Sequence, residues 1–247
     1  MDPTPVDPAV IAHARGLVKT YGAGETAVRA LDGIDVEFAR ARLTAIMGPS
    51  GSGKSTLMHC MAGLDRATSG SIVVDGAEIG RMTERQLTRL RRTRLGFVFQ
   101  AYNLVPTLTA AENITLPLDI ARRPVDRAHF DAVVAAVGLG DRLHHRPSEL
   151  SGGQQQRVAC ARALVSRPAV VFADEPTGNL DSHSSGEVLG FLRRSVDDLG
   201  QSVVMVTHDP NAAAFAHRVV FLADGRLVGE LADPTAGPIL DALRELS

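Results

Sequence analysis

Apolar residues in this chain recur in two rhythms. From about Leu17 to Phe38 they alternate with polar ones, the period of a half-buried strand, interrupted at Gly22, Gly24 and Gly33. Beyond that they come in short continuous runs: LTAIM at 43–47, SIVVDG at 71–76, GFVFQ at 96–100, AVVFADEP at 169–176, QSVVMVTHDP at 201–210 and RVVFLADG at 218–225. Runs of this length bounded by polar residues predict buried strands. Between them lie helix-like stretches: TLMHCMAGL after residue 55, residues 83–94 with Leu87 and Leu90 on one side, AAENITLPLDI, DAVVAAVGL, and a long helix opened by SGGQQQRVACARALVS. Strands alternating with helices predict an α/β fold with a mostly parallel sheet. Residues 1–14 read as a tail, 15–232 as the folded unit with a helical part at about 101–165, and 233–247 as a short C-terminal tail or helix.

Composition narrows the function classes. At 247 residues, 45% hydrophobic and 22% charged, the chain has the apolar matter for a sizeable core. Its net charge of −2 is unlike the basic footprint of a nucleic-acid binder, so no nucleic-acid partner is expected. The arginines at 81, 85, 89, 91, 92 and 94 read as a solvated helix face. Cys60 and Cys160 lack metal-type spacing and read as reduced thiols. The opening MDPTPVDPAV has no basic stretch followed by an apolar one, so it does not read as a signal peptide. No apolar run approaches the roughly 18 residues of a membrane span, so a membrane role requires another protein. Only Lys19 and Lys54 are lysines; every other basic residue is arginine. One of the two therefore sits inside a glycine-rich loop, and that choice needs a local reason.

That loop is Gly48-Pro49-Ser50-Gly51-Ser52-Gly53-Lys54-Ser55, followed by Thr56. It fits G-x-x-x-x-G-K-[ST] between a predicted strand and a predicted helix, the context of a P-loop. Glycines let backbone N–H groups wrap a polyphosphate, and the helix adds its positive end. Lys54 is placed for the β- and γ-phosphates of ATP and the Ser55 hydroxyl for Mg²⁺. AVVFADEP then delivers Asp174 and Glu175 at a strand's C-terminal edge, where ligands bind in open α/β sheets. Asp174 suits Mg²⁺; Glu175, one residue on, suits a general base that polarises water. Leu150-Ser151-Gly152-Gly153-Gln154 starts another helix, with Ser151 as N-cap and two glycines that open its end to an anion. For two phosphate-ready helix ends and a single acidic pair, one physical solution is that each chain lends its second helix end to the nucleotide of another copy.

With these motifs in order, the chain resembles the ABC-transporter ATP-binding cassettes over about residues 15–232. LSGGQ is that family's signature. The resemblance implies a P-loop NTPase fold with a mostly parallel core sheet, an antiparallel β subdomain and a helical signature subdomain. It also implies roles for single residues. Tyr21 sits where the family stacks an aromatic on adenine. Gln100 sits where a glutamine senses Mg²⁺ and water and contacts the membrane partner. Ser151, Gly152, Gly153 and Gln154 would meet the γ-phosphate of the opposing chain. Asp181 lies in the loop that crosses the dimer interface, and His208 would hold the γ-phosphate. The implied partners are an integral membrane permease and a second cassette, and the implied place is the cytoplasmic face of the cell membrane. NLVPTLTAAENITLPL and DEPTGNLD resemble the group of macrolide exporters, lipoprotein-release ATPases and the cell-division cassette. That leaves two expectations: a motor that powers export or release, or a regulatory ATPase that acts through a permease-like partner on an envelope enzyme. FARARLTAIMG departs from the family, in which a Gly-Glu pair commonly precedes this strand.

Overall fold

The computed structural model describes residues 9–246. An antiparallel sheet is built from β1 (Val10–Tyr21), β2 (Val28–Ala39), β4 (Ser69–Val74) and β5 (Ala77–Glu78), in the order β2-β1-β4-β5. A six-stranded sheet is built from β3 (Leu43–Met47), β6 (Leu95–Phe99), β7 (Val170–Asp174), β8 (Ser202–Val206), β9 (Arg218–Ala223) and β10 (Arg226–Ala232). Its order is β10-β9-β3-β8-β7-β6, parallel throughout except for the edge pair β9–β10.

The continuous apolar runs are explained by this second sheet, which is covered on both faces. All five residues of β3 are buried, and all five of β8. Side chains alternate between two cores. Leu43, Ala45, Met47, Val171, Ala173, Val203 and Met205 face one core, shared with Ile114, Phe130, Val158 and Phe191 of the helices. Ile46, Val170, Phe172, Val204 and Val206 face the other, shared with Leu17, Ile34 and Phe38 of the antiparallel sheet and with Leu57 and Met61.

The helices are α1 (Lys54–Met61), α2 (Glu84–Arg94), α3 (Ala110–Ala121), α4 (Arg127–Val137), α5 (Gly152–Leu164), α6 (Ser182–Asp197), α7 (Pro210–Ala213) and α8 (Ala236–Glu245). Helices α2, α3 and α5 each begin with a capping box, Thr83–Gln86, Thr109–Glu112 and Ser151–Gln154. Helices α3, α4 and α5 fill the stretch expected to be helical. The loop before α3 is shaped by Asn113, fully buried, whose amide donates to the carbonyls of Val105, Leu108 and Thr109 and accepts from Val105 N–H.

Three features differ from expectation. Strand β1 begins at Val10, inside the stretch read as a tail; register shifts between Val10 and Ala12 and between Ala14 and Leu17 break the alternation that would have marked it. The arginines of α2 are not uniformly solvated: Arg91 donates to the Gly63 carbonyl, and Arg94 pairs with Asp75. Finally, β10 doubles back on β9, and α8 follows it and buries Ile239 in the first core.

Candidate functional site

Four strand ends meet at one edge. Ile46 of β3 pairs with Val206 of β8, Val206 with Asp174 of β7, and Asp174 with Phe99 of β6. The loop after β3, the acidic pair after β7, His208 after β8 and Gln100 after β6 therefore all leave the sheet on the same side, the C-terminal edge.

The loop 48–53 can be built here only from glycine at two points. Gly48 has φ +150° and a Cβ there would lie 1.9 Å from the Leu222 carbonyl oxygen. Gly53, the N-cap of α1, has φ +99°, and a Cβ would lie 2.4 Å from the Ala30 oxygen. Within the loop, Ser52 is 4% exposed and its hydroxyl has no hydrogen-bond partner among the described residues. Lys54 Nζ folds back onto the carbonyls of Gly48 at 3.0 Å and Pro49 at 2.7 Å. Burial pulls its pKa below that of an ordinary lysine, against the opposing charges of Glu175 and Asp174. A polyphosphate would give this ammonium the counter-charge that the loop carbonyls supply only in part.

Ser55 Oγ donates to Asp174 Oδ1 at 3.3 Å. Burial pushes the Asp174 carboxyl above the usual carboxylate range, while the nearby His59 and the Ser55 hydrogen bond pull it down. Glu175 stands in the left-handed region at φ +46°, with its N–H held by the Val206 carbonyl. Strain of this kind collects at functional positions. Its Oε1 lies 2.9 Å from His208 Nδ1, and the histidine side chain is 73% exposed. A carboxylate paired with a solvent-facing imidazole can accept a proton from water beside it.

The second helix end lies elsewhere. Ser151 caps α5 by accepting from Gln154 N–H at 3.2 Å, and Gln154 Oε1 accepts from Ser151 N–H at 2.9 Å. A Cβ at Gly152 would touch Tyr102 Oη at 2.8 Å, and one at Gly153 would touch Ser184 Oγ at 2.6 Å. Ser184 is bonded to Asp181, whose carboxylate caps α6. The signature residues and Asp181 are thus brought together. Among the described residues no hydrogen bond or ion pair joins Ser151–Gln154 to residues 48–56.

Gln100 is turned toward the segment after Glu175: its Nε2 donates to Asn179 Oδ1 at 3.1 Å, and Asn179 Nδ2 returns a bond to the Gln100 carbonyl at 3.1 Å. Tyr21 donates its hydroxyl to Asp65 at 2.6 Å, carries Lys19 Nζ 4.5 Å from its ring centre, and is 43% exposed. Both lysines of the chain therefore stand at this edge or beside the ring expected to meet a base.

Sequence reasoning passed over three neighbours. His59 Nε2 lies 3.7 Å from Asp174 Oδ2; its spacing of four from Ser55 on one helix was the available signal. Asn179 and the buried Gln156 hold the Gln100 and Glu175 segments, and nothing local in the sequence marks either.

A protein-family model described as ABC transporter matches residues 31–178, from β2 through the glycine-rich loop to the acidic pair. A macrolide export ATP-binding/permease protein of Paracoccus denitrificans is 48% identical over 93% of this chain, which spans only 35% of that relative's length. An uncharacterized ABC transporter ATP-binding protein of Thermotoga maritima is 47% identical over 85% of this chain and 91% of its own. Among solved structures, the dimeric post-hydrolysis state of the ATP-binding cassette MJ0796, bound to ADP and Pi, superposes with a TM-score of 0.81 at 38% identity, over 90% of this chain and 99% of that one. With its loop, acidic pair and capped second helix end in the family's order and its fold matched nearly end to end, this chain belongs to the ABC transporter family.

Proposed function

We propose that the chain binds and hydrolyses ATP as one half of a two-copy motor for a membrane permease. The observation that carries this reading is the joint placement of Lys54, Ser55, Asp174, Glu175 and His208 at one sheet edge. Backbone N–H groups of residues 50–56 and the Lys54 ammonium take the phosphates. Tyr21 offers its exposed ring surface to the base. Glu175 accepts the proton of the attacking water as the water oxygen bonds to the γ-phosphorus and the β–γ bridging bond breaks. His208 holds Glu175 and turns a donor toward the terminal phosphate.

The residues fit Mg²⁺. Ser55 Oγ and Asp174 Oδ1 are paired hard oxygens, and no cluster of three or more metal-ligating His, Cys, Asp or Glu side chains stands among the described residues. That sparse protein ligation is how Mg²⁺ is held when phosphates supply the rest. Bound there, it would neutralise phosphate charge; Ser55 and Asp174 orient it, with Gln100 beside them on the same edge.

Ser151, Gly152, Gly153 and Gln154 meet the γ-phosphate held by a second copy, with Asp181 beside them. The dimeric assembly of the MJ0796 cassette supports this arrangement. No helix among the described residues is long and apolar enough to cross a membrane. The permease is therefore a separate chain or segment, and a groove of about 430 Å³ that includes Phe97, Phe99, Pro117 and Ile120, with Arg91 and Arg92, is where it docks. In this reading the cassette works on the cytoplasmic face and powers export; the likeness to the macrolide-export relative supports it.

The test is Mg²⁺-dependent release of phosphate from ATP by the purified chain. Glu175→Gln should bind ATP, lose turnover by about 10²–10⁴-fold, and elute as a dimer with ATP. Undiminished turnover together with monomeric elution refutes the assignment.

A further inference from the structure

Gln156 lies on α5, two residues beyond the signature, and is fully buried. Its Nε2 donates to two carbonyls at once, Phe99 O at 3.2 Å and Pro176 O at 2.6 Å. Phe99 is the residue before Gln100, and Pro176 is the residue after Glu175. One side-chain amide thus joins the signature helix to the roots of both segments that reach the reacting groups. The same helix grips the first of them again further on, where Arg162 donates to the carbonyls of Tyr102 at 2.8 Å and Asn103 at 2.5 Å.

The amide stands in a buried place at a cost. Its Oε1 is buried and has no hydrogen-bond partner among the described residues. An unbranched apolar side chain would fill the same space without that orphaned oxygen, but it would take the donor away from the Phe99 and Pro176 carbonyls. An amide costs desolvation there, and what it supplies in return is a pair of directed bonds to two separate loops.

We propose that Gln156 is a positioning residue for ATP hydrolysis. It fixes the segments of Gln100 and Glu175 against α5, so that when the α5 terminus engages the nucleotide of a second copy the displacement reaches both segments together. The proposal rests on the ATPase reading above. The segment after Glu175 is already tied to Gln100 through Asn179, which bonds both the Gln100 side chain and its carbonyl. Gln156 adds the third body, the helix that senses the partner.

The experiment uses the full chain with Gln156→Met, which keeps the volume and removes both bonds, and Gln156→Glu, which keeps the shape and removes the N–H donors. Val158→Ala, buried on the same helix away from the site, is the control for loss of packing. ATP turnover, KM for ATP, binding of a fluorescent ATP analogue and melting temperature are measured for each. Both Gln156 variants should lower kcat by at least about tenfold, with KM and nucleotide affinity held within about twofold, because misplacement costs the transition state and not ground-state binding. Val158→Ala should lower the melting temperature and keep kcat. The proposal is overturned by wild-type kcat in both Gln156 variants, by a kcat that falls only in step with melting temperature, or by failure of both to fold. A wild-type chain with no turnover removes the ATPase reading itself; turnover in the wild type with indifferent variants removes this inference alone.

Discussion

The chain carries two glycine-opened helix N-termini, and they are built for different work. At α1, Lys54 and the pair Asp174–Glu175 stand within reach of the helix end, and Ser55 already bonds the carboxylate. At α5, the capping box closes on itself through Ser151 and Gln154, and the neighbours are the neutral hydroxyls of Tyr102 and Ser184. The first end has charge of both signs and a place for a metal. The second has a dipole and neutral hydroxyls at its mouth, with the Asp181 carboxylate behind Ser184 and no cation or acidic pair bonded to it among the described residues. The first can hold a triphosphate and assist its hydrolysis; the second can complete a site it does not contain. The difference is what the proposed two-copy motor would require.

The sharpest break between the two ends is Lys54→Ala. ATP affinity of the isolated chain should fall roughly ten- to a hundredfold, the equivalent of the ~1.5–3 kcal/mol of a hydrogen bond to a charged group. Isothermal titration checks it, and unchanged affinity would mean that α1 is no better a phosphate end than α5. Next in size is Ser151→Ala. Removing the cap should cost about 1 kcal/mol of stability, and it should weaken the ATP-induced dimer while single-chain ATP binding stays as in the wild type. Denaturant titration, with light scattering in ATP, reads both; a loss of single-chain binding would erase the contrast.

The smallest effect concerns the root of β3, the strand that feeds the first end. His217 accepts the Leu43 N–H at Nδ1, at 3.1 Å, and Nε2 meets Asp197 at 3.0 Å. Burial holds its pKa below 6.5, helped by Arg193 and opposed by Asp197. The unfolded chain therefore takes up this proton first as pH falls, so the stabilisation is whole above about 6.5 and is lost as pH drops through the folded-state value. Melting temperature should decline between pH 7.5 and 5.5, and less so in His217→Asn. His13, also lowered chiefly by burial, supplies a remaining part of the decline. An identical slope in the variant would sink the assignment.

The strands of the parallel sheet were legible because burial on both faces leaves unbroken apolar runs: LTAIM and GFVFQ fall within a residue of their observed ends. Strand β1 was cut short in the reading because its bulges hide the alternation, and β10 was missed because an exposed edge strand carries little apolar signal. Among site residues, Lys54, Ser55, Asp174 and Glu175 were named from the motifs and His208 from the family resemblance, and the structure brings them to one sheet edge. His59, Asn179 and Gln156 were not, since each acts on a partner more than a dozen residues distant, except that His59 follows Ser55 by one helical turn.

Local chemistry, by itself, determined a loop that needs glycine at two points, capping boxes at three helix starts and an acidic pair at the end of a buried strand, because each depends on neighbours a few residues apart. Tertiary structure alone decided that β3, β7 and β8 end side by side, that the α5 end lies against Ser184, the partner of Asp181, and makes no hydrogen bond to the α1 loop among the described residues, and that one buried amide spans two loops. Those relations are set by sheet register and helix packing, which join residues from 20 positions apart, as Gln156 and Pro176, to 160, as Ile46 and Val206.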